Sequence, residues 1–397
     1  MGVLFSPIKL GNVELENRFV HSATHECMAT EDGRVTDRLI RRYANLAKGG
    51  IGLIIPGFLY VHPRGKALRN QTGIHSDDMI PGLSKIVQAV RNHGGKVVFQ
   101  LVHAGRQTTR KTIGEAPIAP SRGWRDPVNI LKPVQMTEED IQEAIQAFRA
   151  AASRAMEAGA DGIQFHAAHG YLINQFLSPF FNHRKDSWGG SDLKRFRFLE
   201  EVVLQARQVA PSGVPILVKL NSHDHTPWTS ITPQLAASYA RRLVAIGIDG
   251  VEISSGTVYY SFMNICRGKV PVQGFVGILP PWLRPVAKII LKKVARKFEF
   301  KEAYHLEAAK IIKPVLGRIP LLLVGGMRTV SQMEKLLEDG SADLISMSRP
   351  FIREPFLVNA IREGRTDRAA CESCNKCLVS VLREIPIACY CKSNSIA

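Results

Sequence analysis

His166, His169 and Tyr171 open the stretch HAAHGYLINQFLSPFFNHRKDSWGGS, residues 166–191. Two histidines three apart and a tyrosine two further on supply two hydrogen-bond anchors and one phenolic acid. They follow EAGADGIQF, which reads as helix end, glycine turn and buried strand, so they stand where an apolar strand runs out. In a parallel α/β barrel that end of the strand faces the open mouth, and the three side chains can converge on one ligand. In isolation an H-x-x-H pair is more often structural. It is also half of a zinc site, but a third ligand would be needed and no Asp or Glu is obviously placed to supply it.

Other polar residues fall at similar strand ends. The first apolar run ends at Ala23-Thr24-His25, the second at Gly57, the third holds Gln100, the fifth Lys219, the seventh ends at Gly325-Gly326 and the eighth at Ser348-Arg349. Backbone N–H groups at Gly325, Gly326 and before Arg349 suit a phosphate, in the region after strands seven and eight where barrels commonly hold one. Gln100 both donates and accepts, which suits a ring edge of alternating carbonyl and N–H groups. Lys219 sets a cation where negative charge can develop. A phosphorylated heteroaromatic cofactor satisfies all of these together. Each residue also has a plainer reading: Gly325-Gly326 as a tight turn, Lys219 as half of an ion pair, Gln100 as a cap on backbone groups.

The elements that must position these residues are legible. Eight short apolar runs span 18–23, 52–57, 96–102, 162–166, 215–220, 249–254, 320–325 and 343–347. Most are nearly continuous hydrophobics, as strands buried on both faces should be. Helical patterns separate them. Thr137-Glu138-Glu139-Asp140 is a helix start leading into AIQAFRAAASRAMEAG, and 331–339 is another helix. Eight alternations predict a closed (β/α)8 TIM barrel preceded by an N-terminal hairpin. No G-x-G-x-x-G follows the first strand, which counts against a dinucleotide-binding doubly wound sheet.

The bulk numbers agree. With 397 residues, 45% hydrophobic and 22% charged, the chain can bury a large core. No apolar run is long enough to span a membrane, and the first residues lack a basic stretch followed by an apolar one, so a cytoplasmic protein is expected. Met1-Gly2 with Ser6 fits a short acylation pattern, discounted because the segment reads as a folded hairpin. The net charge of +17 is not accompanied by a nucleic-acid-binding motif, so no nucleic-acid partner is expected; an anionic cofactor, substrate or membrane surface accounts for it as well.

Two segments lie outside the alternation. A long insertion after strand six, about 258–304, contains PPWLRPVAKIILKKVARKF. Trp282, Val286, Ile289, Ile290 and Val294 can share one helical face, with Lys288, Lys292, Lys293, Arg296 and Lys297 elsewhere. The expected role is a lid helix packed over the barrel mouth; docking on an anionic membrane is the alternative. The second segment is a tail, 365–397, beyond a barrel domain of 1–364. It holds five of the seven cysteines, a clustering that suggests a metal or cluster site more than a disulfide framework.

Taken together, LFSPIKLGNVELENRFV, GKVVFQLVHAGR, APIAPS at 116–121, HAAHGY, SPFFNHRKDSWGGS and SADLISMSRPFIREP make the chain resemble the Old Yellow Enzyme family of FMN-dependent NADH:flavin oxidoreductases, from Leu4 to about Gly364. The resemblance implies non-covalent FMN at the barrel mouth, reduced by NADH or NADPH, and a small enone or enoyl substrate. It places Ala23, Thr24 and Gly57 along the flavin ring, Gln100 at its pyrimidine edge, Lys219 where the reduced ring is negative, and Gly325, Gly326, Ser348 and Arg349 at the phosphate. His166 and His169 would hold the substrate oxygen and Tyr171 would donate a proton. The run Ser22-Ala23-Thr24-His25-Glu26 departs from the family's usual proline followed by threonine or cysteine, which leaves open the side chain that touches the flavin.

The tail, CESCNKCLVSVLREIPIACYC, is similar to the motif by which a subgroup, including bacterial 2,4-dienoyl-CoA reductases, binds a [4Fe–4S] cluster. In that subgroup three residues separate the second and third cysteines; here two separate Cys374 from Cys377. The implied ligands are Cys371, Cys374, Cys377 and Cys389, with a [4Fe–4S] cluster, structural zinc or free thiols as the three readings. The larger relatives carry further electron-transfer domains, so a cluster here would call for a separate electron-donating subunit. A homo-oligomer, a flavin-binding redox sensor and a Schiff-base aldolase using Lys219 remain open alternatives at this level.

Overall fold

A computed structural model describes residues 2–123, 132–279 and 281–391; Met1, half of the Met1-Gly2 pattern, lies outside them. Eight parallel strands close on themselves: β1 (Phe19–His21), β2 (Leu53–Ile54), β3 (Lys96–Val102), β4 (Gly162–Ala167), β5 (Ile216–Asn221), β6 (Gly250–Ser254), β7 (Leu321–Val324) and β8 (Leu344–Met347). Each pairs with its neighbour in sequence, and β8 pairs with β1 through Met347 and His21, which closes the ring. The expected barrel is therefore formed; β3 has the anticipated bounds, and the other strands differ from theirs by one to three residues at an end.

Alternation along each strand decides what faces where. In β5, Ile216, Val218 and Leu220 pack outward among the helices, whereas Leu217 joins Val20, Leu53, Val98, Leu322 and Leu344 inside the barrel. An antiparallel hairpin, Ile8–Leu10 with Val13–Leu15, plugs that end by adding Leu10 and Leu15 to this inner layer. One layer higher the interior turns polar, and Lys219, two residues beyond Leu217, belongs to it. The apolar floor keeps water from reaching the polar layer from below, so its charges must be satisfied by one another or from the mouth.

The outer helices follow their sequence signals. The helix Glu138–Glu157 starts in a capping box in which the Thr137 hydroxyl accepts from the Asp140 N–H at 3.2 Å. Val330–Glu338 begins one residue before the expected 331. Among the described residues no helix is long and apolar enough to cross a membrane.

The insertion divides into two parts. Its first half holds the short helices Phe262–Ile265 and Val272–Ile278, and Gly274 lies so close to Val379 that a Cβ would come within 2.8 Å of it. Its second half, the helix Arg284–Val294, buries none of its residues. The expected lid is thus supplied by the first half. The amphipathic helix keeps Trp282, Val286, Ile289 and Ile290 more than half exposed and covers no part of the mouth with them. The tail returns to the barrel: Thr329 bridges Arg368, and the helix Lys376–Leu382 turns Leu378, Val381 and Leu382 toward the mouth.

Candidate active site

A cavity of about 220 Å³ opens at the carboxyl ends of the strands. Ala23, Thr24, His169, Tyr171, Lys219, Gly325, Gly326, Ser348 and Arg349, nine of the twelve residues expected at the ligand, line it. Strand ends separated by up to 326 positions in the chain meet here because the ring closes.

Gly57, Gln100 and His166 are set back from the lining, His166 directly behind it. The Gly57 N–H donates to Glu26 Oε1 at 2.7 Å and to the Tyr43 hydroxyl at 2.9 Å, and the Glu26 carboxylate fills the space where a Cβ would stand. The glycine therefore accommodates a buried carboxylate and does not reach the cavity. Gln100 lies in the polar layer, fully buried; its amide nitrogen donates to Gln164 Oε1 and its own oxygen has no partner among the described residues. His166 is enclosed by the rings of Phe58, His169 and Tyr171, with centroids 5.7, 5.0 and 4.8 Å away.

The polar layer is a chain of contacts. Gln164 Nε2 donates to Glu252 Oε2 at 3.1 Å, Lys219 Nζ lies 3.4 Å from the same oxygen, and Lys219 donates to Ser22 Oγ at 2.9 Å. Register explains it: Gln100 stands beside Gln164, and Lys219 stands between His166 and Glu252. The ion-pair reading of Lys219 and its place at the cavity both hold, because Glu252 fixes it from the side while its head faces the mouth. Gln164, Glu252 and Ser254 escaped the sequence reading. The available signal was a polar residue, flanked by apolar ones, inside GIQFH and VEIS.

His166, His169 and Tyr171 are tuned by burial. Desolvation, and then the Lys219 charge, holds His166 well below the ordinary histidine range. Its Nδ1 accepts the Ala168 N–H at 3.3 Å, so the neutral ring carries its proton on Nε2. His169 is likewise held low by burial, then by His166 and Lys219; its Nε2 is 2.7 Å from Ser254 Oγ. Burial raises the Tyr171 phenol, with a smaller contribution from Tyr259, so it stays protonated at neutral pH. His169 has φ +62° and Gly170 φ +82°, and these two left-handed residues turn the chain from β4 into the helix Leu172–Leu177. The φ at Gly170 favours glycine, and a Cβ there would also have to displace the end of the Gln107 side chain.

At the other end of the cavity two guanidiniums converge. Arg349 was expected; Arg328, just after Gly325-Gly326, was not. Burial pushes Arg328 down, the Cys371 thiol opposes this, and the Arg349 charge adds to it. The tail orients both arginines: Arg328 donates to Ser373 Oγ at 2.8 Å and to the Cys371 carbonyl at 3.0 Å, and Arg349 donates to Asn375 Oδ1. Thr24 and Ser348 share a hydrogen bond of 2.6 Å beside them. Two like charges held together by design favour an anion between them. The cavity wall also carries polar atoms with no partner among the described residues: Ser346 Oγ, His25 Nε2 and both amide atoms of Gln107.

A sequence model of the NADH:flavin oxidoreductase / NADH oxidase family matches residues 3–232 and 285–368. The chain belongs to that family. An NADPH dehydrogenase from a Geobacillus species is 35% identical over 357 residues, 89% of this chain and 92% of the relative. The solved structure of a homologue of old yellow enzyme from Zymomonas mobilis, 25% identical, superposes with a TM-score of 0.70 over 93% of this chain and 95% of its own. A 2-naphthoyl-CoA reductase structure, 27% identical, reaches a TM-score of 0.84 over 98% of this chain; the chain spans 56% of that longer protein. As a family member the chain is an NAD(P)H-dependent FMN oxidoreductase. The residues present suit FMN: paired arginines for a phosphate, unpartnered polar atoms on the wall and a lysine whose head faces the mouth.

The cysteines gather but do not form a ligand set. Cys371, Cys374, Cys377, Cys389 and Cys391 line one small pocket with Arg349 and Arg353. Among the described residues no three His, Cys, Asp or Glu side chains are disposed to hold a metal ion. Burial raises the Cys377 thiol to about 12.

Proposed function

We propose that this NAD(P)H-dependent flavoenzyme reduces activated C=C bonds of α,β-unsaturated carbonyl compounds. In the balanced reaction NAD(P)H, a proton and the enone become NAD(P)+ and the saturated carbonyl compound. When bound, FMN would supply the hydride-transfer chemistry that links the nicotinamide to the substrate β-carbon. Gly325, Gly326, Ser348, Arg349 and Arg328 are suited to hold its phosphate, and Lys219, braced by Glu252 and Ser22, to lie against its ring.

The chain's own side chains then act on the substrate. His169, steadied by Ser254 and backed by neutral His166, holds the carbonyl oxygen and draws charge away from the β-carbon. Tyr171 gives its phenolic proton to the α-carbon and regains one from solvent. A neutral phenol is a competent donor here because the developing enolate is a strong base. The observation that carries this reading is the Tyr171 phenol, kept protonated on a cavity wall whose described residues include no Asp or Glu.

Tyr171→Phe tests it. Enone turnover is expected to fall by about 10²-fold or more, while FMN content and single-turnover flavin reduction by NADPH stay unchanged. Unchanged turnover of every enone would remove Tyr171 from the acid role.

The alternative, a partner-fed enoyl or enoyl-CoA reductase with a [4Fe–4S] cluster on Cys371, Cys374, Cys377 and Cys389, rests on the cysteine spacing of the tail and not on the side-chain placement. Arg349 lines both the cysteine pocket and the main cavity. Iron and zinc analysis with a visible spectrum of anaerobically purified protein separates cluster, zinc and free thiols.

A further inference from the structure

The second half of the insertion has no role in the cavity and is unusual on three counts. Residues 279–298 contain six basic side chains, Arg284, Lys288, Lys292, Lys293, Arg296 and Lys297, and no acidic one. Trp282 is 72% exposed, Ile289 70%, Val286 57% and Ile290 54%. The helix Arg284–Val294 is already seated on the protein through a different stripe: Leu283, Ala287, Leu291 and Val294 are half-buried, at the three- and four-residue spacing of one helix face. The exposed apolar residues are thus a second stripe, left over after the helix has docked, and lysines interleave with them.

We infer that this helix docks on an anionic phospholipid surface. Its apolar side chains would enter the headgroup boundary, Trp282 would sit at the interface, and Lys288, Lys292, Lys293 and Arg296 would meet lipid phosphates. Eleven residues make a rod of about 16 Å, too short to cross a bilayer but suited to lie along it. A second copy of the chain is a poorer occupant. Two-fold pairing would bring six cations against the same six with no acid in the segment to neutralise them. The first half of the same insertion supplies Phe262 and Ile265 to the cavity wall, so docking ties the reactive cavity to the membrane surface.

The test uses the full-length holoprotein and sedimentation with phosphatidylcholine vesicles, with and without phosphatidylglycerol. Binding is expected only where phosphatidylglycerol is present and is expected to be lost in about 1 M salt, where charges are screened beyond about 3 Å. The tryptophan emission should shift to the blue on binding, and Trp282→Phe should reduce that shift. Ile289→Glu should weaken binding at least about tenfold. Lys292→Glu with Lys293→Glu should do the same through a separate route, about fivefold or more per charge. NADPH oxidation in solution should be unchanged in these variants, which shows that they fold. Vesicle binding is read without turnover, so its failure is distinct from failure of the proposed reaction. Equal binding to both vesicle types, no binding to either, no effect of the substitutions, or a dimer dispersed by Ile289→Glu without vesicle binding would overturn the inference.

Discussion

Separating Lys219 from Glu252 should be among the most damaging small changes in the barrel. Their side chains are 4% and 0% exposed, and Nζ lies 3.4 Å from Oε2. At an effective dielectric of about 20, unit charges at that distance attract by about 5 kcal/mol, opposed by the cost of desolvating both. Removing one partner forfeits the attraction and leaves the other charge stranded above an apolar floor. Glu252→Gln keeps the oxygen that accepts from Gln164 but strands the lysine; Lys219→Met strands the carboxylate. Each should cost about 3–5 kcal/mol. The double variant strands neither, so it should cost at least about 2 kcal/mol less than the sum of the singles. Urea unfolding of the four proteins without FMN gives the cycle directly. Additivity within about 0.5 kcal/mol would mean that the pair is not coupled and that Glu252 does not hold Lys219. A parallel FMN titration separates the cofactor role: Lys219→Met should weaken flavin binding more than Glu252→Gln, because Lys219 lines the cavity and Glu252 does not.

The remaining predictions are simpler. Arg349→Gln should weaken FMN binding by about 10- to 100-fold, the loss of one charge-assisted hydrogen bond, read by flavin fluorescence. Burial holds His21 and His103 near pH 3 and His25 and His305 near pH 4 in the folded protein, against about 6.5 unfolded. Below pH 6.5 the unfolded chain therefore binds more protons, and stability should fall as pH falls, by about 1.4 kcal/mol per pH unit for each of the four down to its folded value. Unfolding midpoints that stay level from pH 7 to 5 would contradict those buried neutral rings. Thr137→Ala, which removes the capping box, should cost about 1 kcal/mol in urea unfolding and leave turnover as it was.

Much of the site was legible because a parallel barrel converts position along a strand into position in space. A strand-end residue faces the mouth whichever strand carries it, so Thr24, Tyr171, Lys219 and Arg349 could be brought together without any knowledge of side-chain contacts. Position along a strand does not give what occupies the space beside a residue. Gly57 lies three residues beyond its strand, and Glu26, thirty-one residues earlier, takes the space beside it. Gln100 lies in the polar layer, where Gln164 takes its amide N–H and leaves its oxygen without a partner among the described residues. The amphipathic pattern at 282–294 was real, yet periodicity gives a face and not what covers it.

The sequence by itself determined the eight strands and the helix start at Thr137, because these depend on spacing along a few residues. Tertiary structure decided who meets whom across the ring. Glu252 is 33 residues from Lys219 and touches it through strand register. Ser373 and Asn375 reach Arg328 and Arg349 because the tail folds back over the mouth. Contacts between distant segments depend on closure of the whole cylinder, and no local pattern encodes them.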